Sequence, residues 1–210
     1  MPDFEIEKSI IADRHIQYVC GVDEAGRGPL CGPVVAAACI LSPGVETLMP
    51  ELTDSKKLTP AKREKLFDII LQNAVACGIG QASVEEINQL NILEADLLAM
   101  RRAIAALQTP DGTPVTAEFA IIDGNISRDF PIPAMAVIKG DARSYSIAAA
   151  SILAKVTRDR ICMELDQEYP QYGIAKHKGY GTKAHMDALR KHGPAPIYRS
   201  KFIRFLDEAK

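Results

Sequence analysis

The sequence has no apolar run long enough for a bilayer. The longest, Val34 to Leu41, is far short of the ~20 residues a spanning helix needs. Membrane partners are therefore not expected. The opening Met-Pro-Asp-Phe-Glu-Ile-Glu-Lys has neither a basic start nor a signal-type apolar stretch, so secretion is not expected either. Its five cysteines (Cys20, Cys31, Cys39, Cys77 and Cys162) are scattered, odd in number and without a C-x-x-C pair. Buried thiols in a reduced, cytoplasmic protein are the simplest expectation. No Ser/His/Asp or Cys/His nucleophile arrangement stands out, and there is no Walker-type phosphate loop. His15, His185 and His192 show no ligand-like spacing. Internal repeats, low-complexity tracts and linkers are absent. With 210 residues, 47% of them hydrophobic, the chain suits one domain with a substantial core. Nothing indicates an oligomer, so a monomer is expected.

A net charge of −2 argues at first against a nucleic-acid partner, but its distribution does not. Residues 1–138 hold 11 Lys and Arg against 19 Asp and Glu, whereas residues 139–210 hold 14 against 8. A basic C-terminal part can supply phosphate contacts to an acidic site elsewhere.

The stretch Tyr18 to Pro33 carries the strongest signal. An apolar strand from Gln17 to Val22 meets two adjacent carboxylates, Asp23 and Glu24, and then a loop, Gly26-Arg27-Gly28-Pro29, rich in special backbone. Glycines there let main-chain N–H groups approach a ligand. Further strands are expected at Val34–Leu41, Val75–Ala82, Phe119–Gly124 and Ala134–Ile138. Thr59-Pro60 opens a helix whose apolar face is Leu66, Phe67, Ile70, Leu71 and Ala74. Ser83-x-x-Glu86 and Asn91-x-x-Glu94 resemble capping boxes for two more helices. A long helix spans Ser144 to Tyr169 and a last one Lys183 to His192. The N-terminal Phe4–Ile10 reads as a short helix or a loose arm, and the tail from Pro194 has apolar residues at roughly helical spacing. The order predicts an α/β fold with a mixed sheet.

Three strand ends carry acids: Asp23 with Glu24, Asp123, and Asp141 after Lys139-Gly140. If these ends converge, like charges crowd together, which is costly unless a cation relieves it. Oxygen ligands alone suit Mg²⁺ or Mn²⁺, and two such ions ~3.5–4 Å apart form the usual clamp for phosphodiester hydrolysis. Each acid has a plainer alternative: Asp141 as a helix N-cap, the others as solvated turns. Consecutive strand residues face opposite ways, so Asp23 and Glu24 are expected to share a site only if the strand has ended. Arg27 has a phosphate, Glu24 or Asp54 as alternative partners. Lys56-Lys57, read alone, is a solvated loop. His177 is a phosphate ligand or incidental. Tyr180, between Gly179 and Gly181, stacks on a sugar or base, or packs at the core edge.

In these motifs the chain resembles the type 2 ribonuclease H family, in its bacterial ribonuclease HII branch, from Gly21 to about Tyr198. They are Gly-Val-Asp-Glu-Ala-Gly-Arg-Gly-Pro, Asp-Ser-Lys-Lys-Leu, Ile-Asp-Gly-Asn, Lys-Gly-Asp with the Ala-Ala-Ala-Ser-Ile-Leu-Ala-Lys-Val helix, and His-Lys-Gly-Tyr-Gly-Thr, in the family's order. The resemblance implies a ribonuclease H-like α/β fold with a five-stranded mixed sheet flanked by helices. Residues 1–170 would form the catalytic core, with 171–210 a small helical C-terminal part packed on it. It implies that Asp23, Glu24, Asp123 and Asp141 are the catalytic acids and hold Mn²⁺ or Mg²⁺, two ions in the substrate complex. Gly26, Arg27 and Gly28 would lie against the ribonucleotide and read its 2′-hydroxyl. Lys56 would join the substrate contacts, and Tyr180 would stack on the sugar beyond the scissile bond. The implied activity is hydrolysis of RNA in RNA–DNA hybrids and cutting 5′ of ribonucleotides embedded in duplex DNA. The ends left are 5′-phosphate and 3′-hydroxyl, and the implied role is ribonucleotide removal in the cytoplasm. Rival readings are a DNA-only nuclease of the same fold and a non-catalytic hybrid-binding module. A sliding clamp as partner has no support in the sequence; Phe202, Ile203 and Phe205 are expected to pack on the domain itself.

Overall fold

The computed structural model describes residues 1–206. Five strands form one sheet: β1 (Val19–Ala25), β2 (Val34–Ile40), β3 (Ala76–Ala82), β4 (Phe119–Asp123) and β5 (Ala134–Val137). Their order across the sheet is β3-β2-β1-β4-β5. The first three are antiparallel neighbours, while β1–β4 and β4–β5 are parallel, so the sheet is mixed. β2 is buried along its whole length, as its near-continuous apolar sequence requires of a central strand.

Helices cover both faces. On one, α2 (Pro60–Asn73) and α5 (Tyr145–Glu168) enclose a core with Ala37, Cys39, Ile70, Ile152 and Leu153. On the other, α3 (Val84–Leu90) and α4 (Ile92–Ala105) pack over Val22, Ala36, Ala38 and Ile122. The hydroxyl of Thr59 accepts from the Lys62 N–H at the start of α2, and Ser83 with Glu86 forms a complete capping box on α3. Asn91 caps α4 through the N–H groups of Leu93 and Glu94, without the reciprocal half. Leu71, expected on the apolar face of α2, is 38% exposed. The sheet and α5 cover less of that helix than its pattern offers.

The N-terminal segment is no loose arm. α1 (Glu5–Arg14) is held by buried Glu7, whose Oε1 accepts from Ser144 Oγ at 2.7 Å and from the Ser146 N–H at 3.0 Å. Phe4 stacks on Tyr145 at 5.2 Å between centroids. These contacts fix the N-terminus of α5. Ser144 is its cap, accepting from the Ile147 N–H, which leaves Asp141 free in the preceding 3-10 turn, Gly140–Ala142.

After α5 come α6 (Ile174–His177) and α7 (Lys183–His192). Their core is Cys31, Cys162, Tyr172, Ile174, Leu189 and Tyr198. The tail is not an α-helix but two 3-10 turns, Ser200–Phe202 and Arg204–Leu206, with Ile203, Phe205 and Leu206 packed on this cluster. The expected C-terminal segment continues to residue 210, its last four residues lying outside the described ones.

Candidate active site

β1 does not end at the acids. It pairs with β2 through Asp23, Glu24 and Ala25, opposite Ala37, Ala36 and Val35. The expectation that Asp23 and Glu24 meet only beyond the strand end is therefore corrected. Alternation sends Asp23 toward the α5 face, where its partner Ala37 packs, and Glu24 toward the α4 face. They reach one cavity because β4 accompanies β1 only as far as Val22, paired with Ile122. Past that point the β1 edge has no neighbour on this side, and both faces open on the same rim.

The cavity has a volume of about 240 Å³ and gathers all nine residues singled out from the sequence: Asp23, Glu24, Gly26, Arg27, Gly28, Lys56, Asp123, Asp141 and Tyr180. Ser55, Lys155 and Arg158 also line it. Asp23 is 7% exposed, and its Oδ1 accepts from the Glu24 N–H at 2.7 Å. Asp123 Oδ1 accepts from the Gly140 N–H at 2.6 Å, which joins the end of β4 to the turn carrying Asp141.

Electrostatics mark the site as short of positive charge. Burial pushes the Asp23 carboxyl well above the usual carboxylate range, and the charges of Glu24 and Asp123 push it further. Asp141 is raised by burial, then by Asp123 and Asp54, with Lys56 opposing. Lys155 does little to relieve this, since its Nζ pairs with Asp159 at 2.5 Å. Among the described residues no three acids form a ready-made metal cage. The four carboxylates instead line the wall of one open cavity. A hard divalent cation fits such a donor set.

The glycine loop is shaped by side chains that motif reading missed. Gly26 has φ +103°, and a Cβ there would lie 2.0 Å from Arg158 Nε, so no other residue fits. Gly28 faces Tyr180, whose Cε1 would sit 3.3 Å from an added Cβ; Tyr180 itself is 50% exposed. Arg199, from the tail, is fully buried and donates to the carbonyls of Gly26, Arg27, Pro29, Gly32 and Pro33 at 2.7–3.1 Å. Burial, and the neighbouring Arg158, bring its guanidinium down to about 10. Arg158 donates to the carbonyls of Cys31, Pro33 and Lys178. Two guanidiniums thus hold the loop by its oxygens. Nothing in the local sequence around Arg199 announces this, because its partners lie about 170 residues away.

Arg27 pairs neither with Asp54 nor with a solvent-side acid. Its Nη1 lies 3.7 Å from Glu24 Oε1 and its Nε 3.4 Å from Asp96 Oδ2. Asp96 is a buried acid on the sheet-facing side of α4, pushed up to about 8 by burial and by Glu24, with Arg27 opposing.

A mixed five-stranded sheet with acids at the rim of β1 and β4, and another on the turn before the long helix, defines a nuclease of the ribonuclease H-like class. The family model described as Ribonuclease HII matches residues 20–205. A ribonuclease HII of Magnetococcus marinus is 53% identical over 203 residues, covering 96% of this chain and 92% of the relative. One from an Acidovorax species is 56% identical over 186 residues, 88% of this chain and 84% of the relative. The crystal structure of ribonuclease H2 from Pyrococcus horikoshii superposes with a TM-score of 0.73 at 28% identity, covering 92% of this chain and 98% of that one. The fold also matches that of the PCNA:RNase HII complex from Archaeoglobus fulgidus, with a TM-score of 0.71 at 24% identity and coverage of 89% and 95%. The chain belongs to the ribonuclease HII family and is a ribonuclease H, a hydrolase.

Proposed function

We propose that the protein is an endonuclease that cuts RNA within RNA–DNA hybrids and cuts 5′ of ribonucleotides embedded in duplex DNA. Asp23, Glu24, Asp123 and Asp141 would hold two divalent ions, Mn²⁺ or Mg²⁺. When bound, such ions supply activation of the attacking water and stabilisation of the leaving oxygen, giving 5′-phosphate and 3′-hydroxyl ends. The observation that carries the reading is the convergence of four acids on one cavity, two from β1, one from the end of β4 and one from the turn after β5, beside cations, glycines, Ser55 and a tyrosine. A mere binder of polyanions gains nothing from buried negative charge, as the upward push on Asp23 makes plain.

The chain's own groups position the substrate. The carbonyls of Gly26, Arg27, Pro29, Cys31, Gly32 and Pro33 are occupied by Arg158 and Arg199, and the N–H groups of Gly26 to Gly28 would meet a ribose 2′-hydroxyl. Tyr180, half exposed beside Gly28, would stack on the neighbouring sugar, and Lys56 beside Asp141 would meet a phosphate. An enzyme acting on DNA alone needs neither this loop nor the tyrosine. Removal of misincorporated ribonucleotides in the cytoplasm is the corresponding role. Clamp docking is left out of the proposal, because Ile203 and Phe205 pack on the C-terminal cluster and Phe202 lies beneath the Arg199 guanidinium, 5.3 Å from ring centroid to Cζ.

A duplex with a single ribonucleotide, an RNA–DNA hybrid and an all-DNA control, each with Mg²⁺, Mn²⁺ or chelator, test this. Cleavage is expected of the first two only, and only with the ion. Equal cutting of the all-DNA duplex, or cutting in chelator, overturns the proposal.

A further inference from the structure

α4 is built from helix-favouring apolar residues, with Ala95, Leu97, Ala99, Met100, Ala103 and Ile104 buried against the sheet. Asp96 breaks that pattern. Its residue is 2% exposed, and its Oδ1 has no hydrogen-bond partner. Leaving a buried carboxylate atom unpaired is costly, and an apolar residue at this place would serve the helix better. Among the described residues its one ion-pair partner is Arg27, whose Nε lies 3.4 Å from Asp96 Oδ2. The Arg27 side chain is 49% exposed and lies in the cavity wall, with Glu24 at its other end.

We infer that Asp96 is a positioning residue for substrate binding: it anchors the Arg27 guanidinium and thereby sets the Gly26–Gly28 loop against the acid rim. Without Asp96, Arg27 has Glu24 as its one remaining acidic partner, and any shift of the guanidinium toward Glu24 drags the loop tip and covers an acid. With Asp96, Arg27 is drawn back along α4 and Glu24 keeps a face toward the cavity. Asp96 touches neither substrate nor ion in this scheme; it acts wholly through Arg27. Arg199 shapes the base of the same loop, and Asp96 its tip.

This inference rests on the proposed function, and a double-mutant cycle separates the two. Asp96→Asn, Arg27→Ala and the double variant are compared with the parent protein. One readout is Kd for a single-ribonucleotide duplex by fluorescence anisotropy in chelator. A second is KM and kcat with Mg²⁺, and a third the melting temperature. Asp96→Asn should raise Kd and KM by about 5–10-fold and change kcat less than about 2-fold. It should melt no lower than the parent, since a neutral amide replaces a buried acid. In the Arg27→Ala background, Asp96→Asn should have no further effect; with Arg27 present, Asp96→Glu should lose less than Asp96→Asn. Additive effects of Asp96→Asn and Arg27→Ala, or unchanged Kd and KM in Asp96→Asn, overturn the anchor. Failure of the parent protein to cut the ribonucleotide duplex at all overturns the proposed function instead.

Discussion

At the scale of single residues, the site trades stability for chemistry. Asp23 occupies a nearly buried position in a central strand, with Glu24 beside it and Asp123 on the neighbouring strand, and among the described residues no cation pairs with it. A carboxylate whose folded-state pKa is raised binds its proton more tightly folded than unfolded, so at neutral pH it opposes folding. Asp23→Asn removes that opposition and keeps the shape. In the absence of divalent ions the variant is expected to melt about 2–4 °C above the parent, the shift that ~1 kcal/mol gives a domain of this size. Cleavage should be lost while hybrid binding in chelator stays within about 2-fold. Calorimetry and anisotropy check both. A variant that melts lower, or that still cuts at the parent's rate, removes Asp23 from the acid centre. The same residue scale shows where motif reading stops. Asp23, Glu24, Asp123 and Asp141 were legible because each follows an apolar run or a glycine turn. Asp96 was not, because helix periodicity registers one polar residue within an Ala-, Leu- and Met-rich stretch as noise.

At the scale of elements, the loop bearing Tyr180 is held by two histidines: His185, to which the sequence assigned no role, and His177, read there as a phosphate ligand or incidental. The rings of His177 and His185 stack at 4.1 Å between centroids. His177 Nδ1 accepts from the Gly179 N–H while its Nε2 faces the Tyr172 carbonyl at 3.1 Å. His185 Nδ1 faces the Tyr180 carbonyl at 2.9 Å, and its Nε2 lies 2.9 Å from the Tyr198 hydroxyl. One neutral tautomer of each ring satisfies both contacts, and stacking makes two cations unwelcome. Burial lowers the His185 pKa, with His177 adding to the effect. An unfolded histidine titrates near ~6.5, so this group stabilises the fold fully above that pH. Its contribution disappears as pH falls through the lower folded value. Between pH 7.5 and 5.5 the parent should lose about 2–4 °C more in melting temperature than His185→Gln does. Equal losses in the two proteins exclude His185 as the acid-sensitive group. The starts of α2 and α3 were legible, since Thr59-Pro60 and Ser83-x-x-Glu86 act through neighbours three residues away, whereas the cap of α5 is Ser144 and not Asp141. The extent of β1 was not. Its last three residues are strand because β2 pairs with them, a fact that lies 10–14 residues along the chain and outside any local pattern.

At the scale of the whole molecule, the sequence shows an acidic first part and a basic remainder, and the fold alters what that asymmetry means. Arg158 and Arg199 are counted among the 14 late cations, yet both are buried and spend their donors on loop carbonyls. Lys155 is tied to Asp159, and Arg190 to Asp187. Counting charges along the chain therefore overstates the field a phosphate backbone meets. What remains includes Lys176, which is exposed on α6, and Lys178, whose Nζ rests 3.3 Å from Met163 Sδ beside Arg160 in a second cavity that shares Lys155 with the first. Neither makes an ion pair among the described residues. A cation that releases one counterion from the duplex lowers the slope of log affinity against log salt by about 1 when it is removed. Lys176→Ala and Lys178→Ala are each expected to show that loss of slope on an RNA–DNA hybrid in chelator, with no change in preference between ribonucleotide and all-DNA duplexes. Arg27→Ala should behave the opposite way, because its guanidinium is already committed to Glu24 and Asp96: a nearly unchanged slope and a weaker ribonucleotide preference. If the lysine variants keep the parent's slope, the basic C-terminal part serves solubility, and phosphate binding must be sought in the cavity wall itself, at Lys56.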